Sequence, residues 1–368
     1  MDKKILSNLL QFQKKVHGTT NSQLGYPMNL SGNFKELFEN FDFSFLLNNI
    51  GDPITTYSGS DRFYFEKKVI EFFADLYSLN REEMRGYVTT GGSEGNFYGL
   101  YLGRESYPDA VALFSMASHY SIPKYSKMLR IPYEIISTLD TGEINYLDLE
   151  KKIIQNKDKP IILSLNIGTT MAGAIDNVDT VILLLTKHKI NDYYIHCDAA
   201  LFGGMLPFLS SKNRISFSDN IGSLSISGHK FFGTPTPCGV VLTRQKYVDK
   251  ISSVPGYTGA EDSTILGSRS GHAPILLWYA IASIGKAQIK KTVRNCIGLA
   301  RYLHSSLQSL GFEPLLNPDS NIVLFNKPND QIVNKWKLAS VGNKSHVVVM
   351  PHVSKEMIDQ FLSELKQA

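Results

Sequence analysis

Three successive stretches decide the fold: Pro160-Ile161-Ile162-Leu163-Ser164-Leu165-Asn166, then Val178–His188 (VDTVILLLTKH), then Tyr193-Tyr194-Ile195-His196-Cys197-Asp198-Ala199-Ala200. The outer two are short apolar runs of strand length, and the middle one carries its apolar residues at helical spacing. Strands that are apolar on both faces and alternate with helices belong to a mostly parallel sheet covered on both sides. The alternation extends outward. Further strands are expected at Gly86–Thr89, Ala110–Ser115, Gly222–Ser227 and Gly239–Thr243, with helices at Gly95–Arg104, Ile122–Arg130 and Tyr146–Gln155. The fold class is α/β.

Asn48–Arg62 is rich in turn formers and reads as a long ordered loop before a helix at Phe63–Tyr77. Beyond Val254 the texture changes to longer helices (Pro274–Lys291, Val293–Leu310). Strand-like Asn321–Phe325 and His346–Met350 follow, then a last helix at Lys355–Lys366. The chain therefore divides into an N-terminal helical segment (1–50), a large domain (51–255) and a small α+β domain (256–368). Ile5, Leu6, Leu9, Leu10 and Val16 recur at helical spacing, so the first helix carries an apolar stripe that must pack on something.

Composition narrows the function. With 43% hydrophobic and 20% charged residues the chain is globular, and a formal charge of +4 without a basic stripe excludes a dedicated nucleic-acid binder. Three cysteines without a CxxC argue against a disulfide framework or a structural zinc site and for a reducing, cytoplasmic setting. No metal is expected. The longest apolar stretch, Ala273–Ile284, falls short of the roughly 20 residues of a membrane span. Ser7, Asn8, Gln11 and Gln13 interrupt any signal-peptide core.

Four segments carry chemistry. In Ser225-Ile226-Ser227-Gly228-His229-Lys230 a strand delivers a lysine into a loop. This is costly for a structural residue but useful if the amine forms a Schiff base with a carbonyl. A surface lysine after a strand fits the same pattern. Asp198, ending an apolar strand before Ala199-Ala200, suits an acid that keeps a pyridinium nitrogen protonated. It equally suits a cap on the next turn. Thr89-Thr90-Gly91-Gly92-Ser93-Glu94-Gly95-Asn96 sits between a strand and a helix, where glycines and free N–H groups welcome phosphate. Ser118-His119-Tyr120-Ser121 places a histidine just after a strand, where it can stack on a flat cofactor.

Together, GYVTTGGSEGN, LGRESYPDA, SHYS, NIGTT, HCDAALFG, SGHK, PCGVV and GSRSGHAP resemble the pyridoxal-phosphate-dependent group II amino-acid decarboxylases, over nearly the whole chain from Gly51 to Ser354. The resemblance is closest to the histidine decarboxylase and plant serine decarboxylase branch. It implies an aspartate-aminotransferase-like fold with pyridoxal 5'-phosphate as cofactor. Lys230 is then the Schiff-base lysine and Asp198 the partner of the ring nitrogen. His119 covers one ring face and meets the substrate, and Ala200 lies on the other. Gly92, Ser93, Ser227 and His229 hold the phosphate, and Thr169 lies near the ring edge. It also implies a homodimer with shared sites, in which Gly267-Ser268-Arg269 serve the neighbouring subunit. Only 37 positions separate Lys230 from Gly267. The long loop bearing a catalytic tyrosine in the animal aromatic-amino-acid decarboxylases is thus shortened, and Tyr257 is a candidate replacement.

The expected reaction is decarboxylation of an L-amino acid, L-histidine to histamine first and L-serine to ethanolamine second. Three other readings compete. G-x-S-x-G at Gly91–Gly95, with Ser93, Asp198 and His229 in hydrolase order, fits a serine hydrolase but leaves Lys230 idle. A non-catalytic scaffold would have lost Lys230, Asp198 or His119. An aminotransferase would clamp the substrate carboxylate with an arginine, for which Arg269, Arg294 and Arg301 are candidates.

Overall fold

The computed structural model describes residues 3–17, 22–55, 61–211, 214–256 and 261–367. Its main layer is a seven-stranded sheet of β1 (Met84–Thr89), β2 (Val111–Ser115), β3 (Tyr133–Ile136), β4 (Ile161–Asn166), β5 (Tyr193–Asp198), β6 (Ser223–Ser227) and β7 (Gly239–Arg244). The spatial order is β1-β7-β6-β5-β4-β2-β3. Pairing is parallel from β6 through β3, and β7 runs antiparallel to both its neighbours. Every residue of β4 is buried, as the unbroken apolar run demands. β3 was not anticipated. It is an edge strand whose Tyr133 and Ile135 stay exposed, so it lacks the two-sided apolar signature of the central strands.

The helices that matter for the site are α1 (Lys3–His17), α2 (Tyr64–Leu76), α3 (Gly92–Ser106), α4 (Ser121–Met128), α5 (Tyr146–Gln155), α6 (Val178–Lys187) and α7 (His272–Ser309). Asn145 caps α5 by accepting from the Leu147 and Asp148 amides, and Asn177 caps α6 through the Thr180 amide. α3 starts earlier than expected, at Gly92. Glycines at 92, 95, 99 and 103 form one helix face pressed on the sheet: a Cβ at Gly95 would lie 2.2 Å from Ser225 Oγ. Gly92, read as loop, belongs with the helical Gly95, Gly99 and Gly103 to one packing surface.

α7 corrects the expectation of two helices meeting at Thr292. It is two helical segments joined at a sharp kink, and the break falls at Gly285, whose non-helical φ 73° and ψ 152° suit glycine, rather than at Thr292. Below it lies an antiparallel four-stranded sheet of β8 (Leu315–Leu316), β9 (Ile322–Asn326), β10 (Ala339–Val341) and β11 (Lys344–Val348), in the order β8-β9-β11-β10. The short β8 and β10 were not anticipated.

Residues 23–31 form a strap between the two sheets. The Leu24 amide donates to Trp336 O at 3.1 Å, Leu24 O accepts from the Val348 amide at 2.7 Å, and the Asn29 amide donates to Lys230 O at 3.2 Å. In α1, by contrast, Ile5, Leu6, Leu9, Leu10 and Phe12 stay exposed. No helix of the described residues is long and apolar enough to cross a membrane.

Candidate active site

The C-terminal ends of β4, β5 and β6 and the start of α3 converge on a cavity of about 370 Å³. Ligand sites of open α/β sheets lie at this edge. Gly92, Ser93, His119, Thr169, Asp198, Ala200, Ser227, His229 and Lys230 all line it. Residues from five separate motifs are thereby brought to one place. Tyr257 lies outside the described residues.

Lys230 follows β6, and among the described residues its amine makes no ion pair. Burial lowers its pKa from the usual lysine range, while Asp198 opposes that shift. Asp198 ends β5 nearly buried, accepting from Asn96 Nδ2 at 2.7 Å and from the Ala200 amide at 3.2 Å. His119 Nδ1 is 2.7 Å from Ser121 Oγ. Burial lowers its pKa and Lys230 adds to this, against a raising influence from Asp198. The His119 ring therefore stays neutral at pH 7.

At the other end, a Cβ on Gly92 would lie 2.7 Å from Ser227 Oγ and 3.2 Å from Ala200 Cβ. The missing side chain leaves a small concavity at the N-terminus of α3, where unpaired amides favour an anion. Glu94 ties down the preceding turn by accepting from the Thr90 amide at 2.7 Å and from Tyr87 Oη at 2.9 Å. His229 Nδ1 donates to Cys238 O at 2.9 Å.

These bonds dissolve the hydrolase reading. The Asp198 carboxylate is engaged by Asn96 and Ala200, and His229 is anchored to Cys238, so neither completes a relay on Ser93. The arginines are also settled. None of the described arginines lines the cavity, and Arg294 and Arg301 are exposed on α7. The Arg269 guanidinium turns into its own chain, 3.1 and 3.2 Å from the two Glu66 carboxylate oxygens, with Gly51 O at 2.9 Å.

Several lining or supporting residues escaped the sequence reading. Asn96, His196 and Ser121 lie inside the quoted motifs, but nothing marked them as partners of Asp198 and His119. Asn166 lines the cavity and is held by Asp176, whose carboxyl burial pushes up to about 6. His346 forms part of the wall, with Nδ1 3.0 Å from Met171 O and Nε2 2.9 Å from Gly25 O. Contacts spanning that much of the chain leave no local signature.

A model of the pyridoxal-dependent decarboxylase conserved domain matches residues 63–326. A rice (Oryza sativa subsp. japonica) protein named serine decarboxylase 2 is 45% identical over 347 residues, covering 94% of this chain and 74% of that one. A tomato (Solanum lycopersicum) protein named histidine decarboxylase is 42% identical over 366 residues, covering 97% and 86% respectively. The crystal structure of L-methionine decarboxylase from Streptomyces sp. 590 superposes with a TM-score of 0.89 at 24% identity, over 100% of this chain and 96% of that one, and attests the shared fold. The chain belongs to the pyridoxal-dependent decarboxylase family and is a pyridoxal-phosphate-dependent amino-acid decarboxylase.

Proposed function

We propose that the enzyme decarboxylates a polar L-amino acid, L-histidine or L-serine, with Lys230 carrying the cofactor as a Schiff base. One observation supports this above the others: Lys230, Asp198 and His119, from three distant segments, line one cavity. The residues present fit pyridoxal phosphate. A lysine amine without an ion pair is available for the aldehyde, an acceptor carboxylate for the ring nitrogen, and the concavity left by Gly92 for the phosphate.

When bound, the cofactor supplies an electron sink for the pair left behind as carbon dioxide departs. The chain supplies binding and orientation. Burial keeps a larger share of the Lys230 amine neutral and so nucleophilic. Asp198, held by two donors, keeps the proton on the ring nitrogen. His119 and Ala200 bound the ring from opposite sides, and His119 also meets the substrate. Ser93, Ser227, His229 and the amides at the start of α3 hold the phosphate, and Thr169 borders the ring edge. Tyr257 remains our candidate for returning a proton to Cα. The absence of arginine from the described cavity wall favours a site that releases the carboxylate over one that clamps it.

Both substrates have named relatives of similar likeness: the tomato protein named for histidine is 42% identical and the rice protein named for serine 45%. An amine-product assay on histidine, serine, methionine, tyrosine, tryptophan and glutamate decides between them. Preference for an aromatic substrate or glutamate would refute both.

We also propose that the working unit is a homodimer, because Ile5, Leu6, Leu9 and Leu10 of the α1 stripe are exposed among the described residues. Three free, buried cysteines support a cytoplasmic setting. The segments 1–50, 51–255 and 256–368 are proposed as the domain divisions.

A further inference from the structure

We propose that Asn96 is a positioning residue whose single amide couples Asp198 to His119 by holding Ser121, the residue that sets the tautomer of that histidine. The proposal rests on the cofactor roles given to Asp198 and His119 above.

The bonding is directional from end to end. Asp198 can only accept, so the group 2.7 Å from its Oδ2 must be the Asn96 NH₂. That turns the Asn96 carbonyl toward His196, whose Nε2 lies 3.0 Å away and must therefore carry the proton. Burial keeps His196 neutral, so its Nδ1 is bare and accepts from Ser223 Oγ at 2.8 Å. The amide NH₂ also donates to Ser121 Oγ at 3.1 Å. The Ser121 amide aims at His119 Nδ1 from 3.3 Å, which makes that nitrogen an acceptor, and the Ser121 hydroxyl, itself held by Asn96, donates to it as well at 2.7 Å. Two donors on Nδ1 leave His119 protonated on Nε2.

Asn96, Ser121, His196 and Ser223 are all at least 99% buried, so water does not substitute for these bonds. A flipped amide would set its carbonyl against the Asp198 carboxylate. The one orientation allowed therefore presents to the cavity both a bonded carboxylate and a histidine with a single, defined donor. An aspartate at position 96 has nearly the same shape but no N–H to give.

The test uses holoenzyme labelled with ¹⁵N-histidine. Two-bond ¹H–¹⁵N correlation spectra report each tautomer, and His119→Asn assigns the signal. Neutral His119 protonated on Nε2 is expected; protonation on Nδ1 overturns the proposal without any folding question. Asn96→Asp and Asn96→Ala should each bring a share of the Nδ1-protonated form and raise the cofactor dissociation constant roughly ten- to hundredfold. A folded variant with weakened cofactor but an unmoved His119 signal would reduce Asn96 to a structural part and overturn the coupling. If the wild type forms no borohydride-reducible adduct on Lys230, it is the functional reading that fails, and the tautomer result stands apart from it.

Discussion

Gly99 and His196 compete for one space: a Cβ on Gly99 would lie 2.1 Å from the imidazole Nδ1. The ring cannot step aside, because Ser223 and Asn96 hold both its nitrogens. Gly99→Ala should therefore destabilise by about 1–3 kcal/mol through overpacking, despite a helix-propensity gain of about 1 kcal/mol. The urea midpoint checks it; an equally stable variant would mean that α3 can ride up off the sheet at no cost.

Lys230→Ala should fold yet hold pyridoxal phosphate only reversibly. The parent should be coloured and form a borohydride-stable link to Lys230, found by peptide mass mapping, which the variant lacks. A link surviving in the variant would assign the cofactor to another lysine.

Glu66 and Arg269 form a nearly buried pair that also receives Asn49 Nδ2 at 2.6 Å and the Val88 amide at 2.9 Å. Arg269→Met strands the carboxylate and should cost about 3–5 kcal/mol. Replacing both residues by methionine should recover much of that loss in thermal melts. Equal losses in the single and double variants would show that the pair is not what holds these loops.

Acid should weaken the fold through His196. Its pKa falls from 6.5 to about 4 on burial, so between those values the unfolded chain binds more protons than the native one. Stability is full above pH 6.5 and declines as pH drops toward 4, by roughly 3 kcal/mol from this residue. His119, His229, His346 and His352 are shifted the same way by burial. Urea titrations at several pH values should show His196→Gln losing less than the parent on acidification; parallel losses would contradict the assignment.

The α1 stripe gives the dimer its test. Leu9→Asp with Leu10→Asp alters side chains exposed in the single chain, so folding should persist while light scattering shifts from dimer toward monomer. An unchanged mass would remove α1 from the interface.

Legibility followed the physics of each element. β4, β5 and β6 were readable because strands buried on both faces are apolar throughout, and α5 was placed to the residue by its helical pattern. Edge strand β3 and the short β8 and β10 were not, since their pairing is decided by distant partners. Lys230, Asp198 and His119 stand at strand ends where such groups are conspicuous. Asn96 and His196 were invisible as a pair because a hydrogen bond across 100 positions carries no spacing rule.

The strap at residues 23–31 bears on how the chain comes to be active at all. Lys230 is bracketed by Asn29, which itself depends on a segment anchored to Trp336 and Val348. A ribosome releases the strap long before its anchors. The seven-stranded layer can be complete while the pocket still lacks a wall. Contacts of such long sequence separation form slowly and late. Competence to take up the cofactor should therefore trail the appearance of secondary structure, both during synthesis and in refolding.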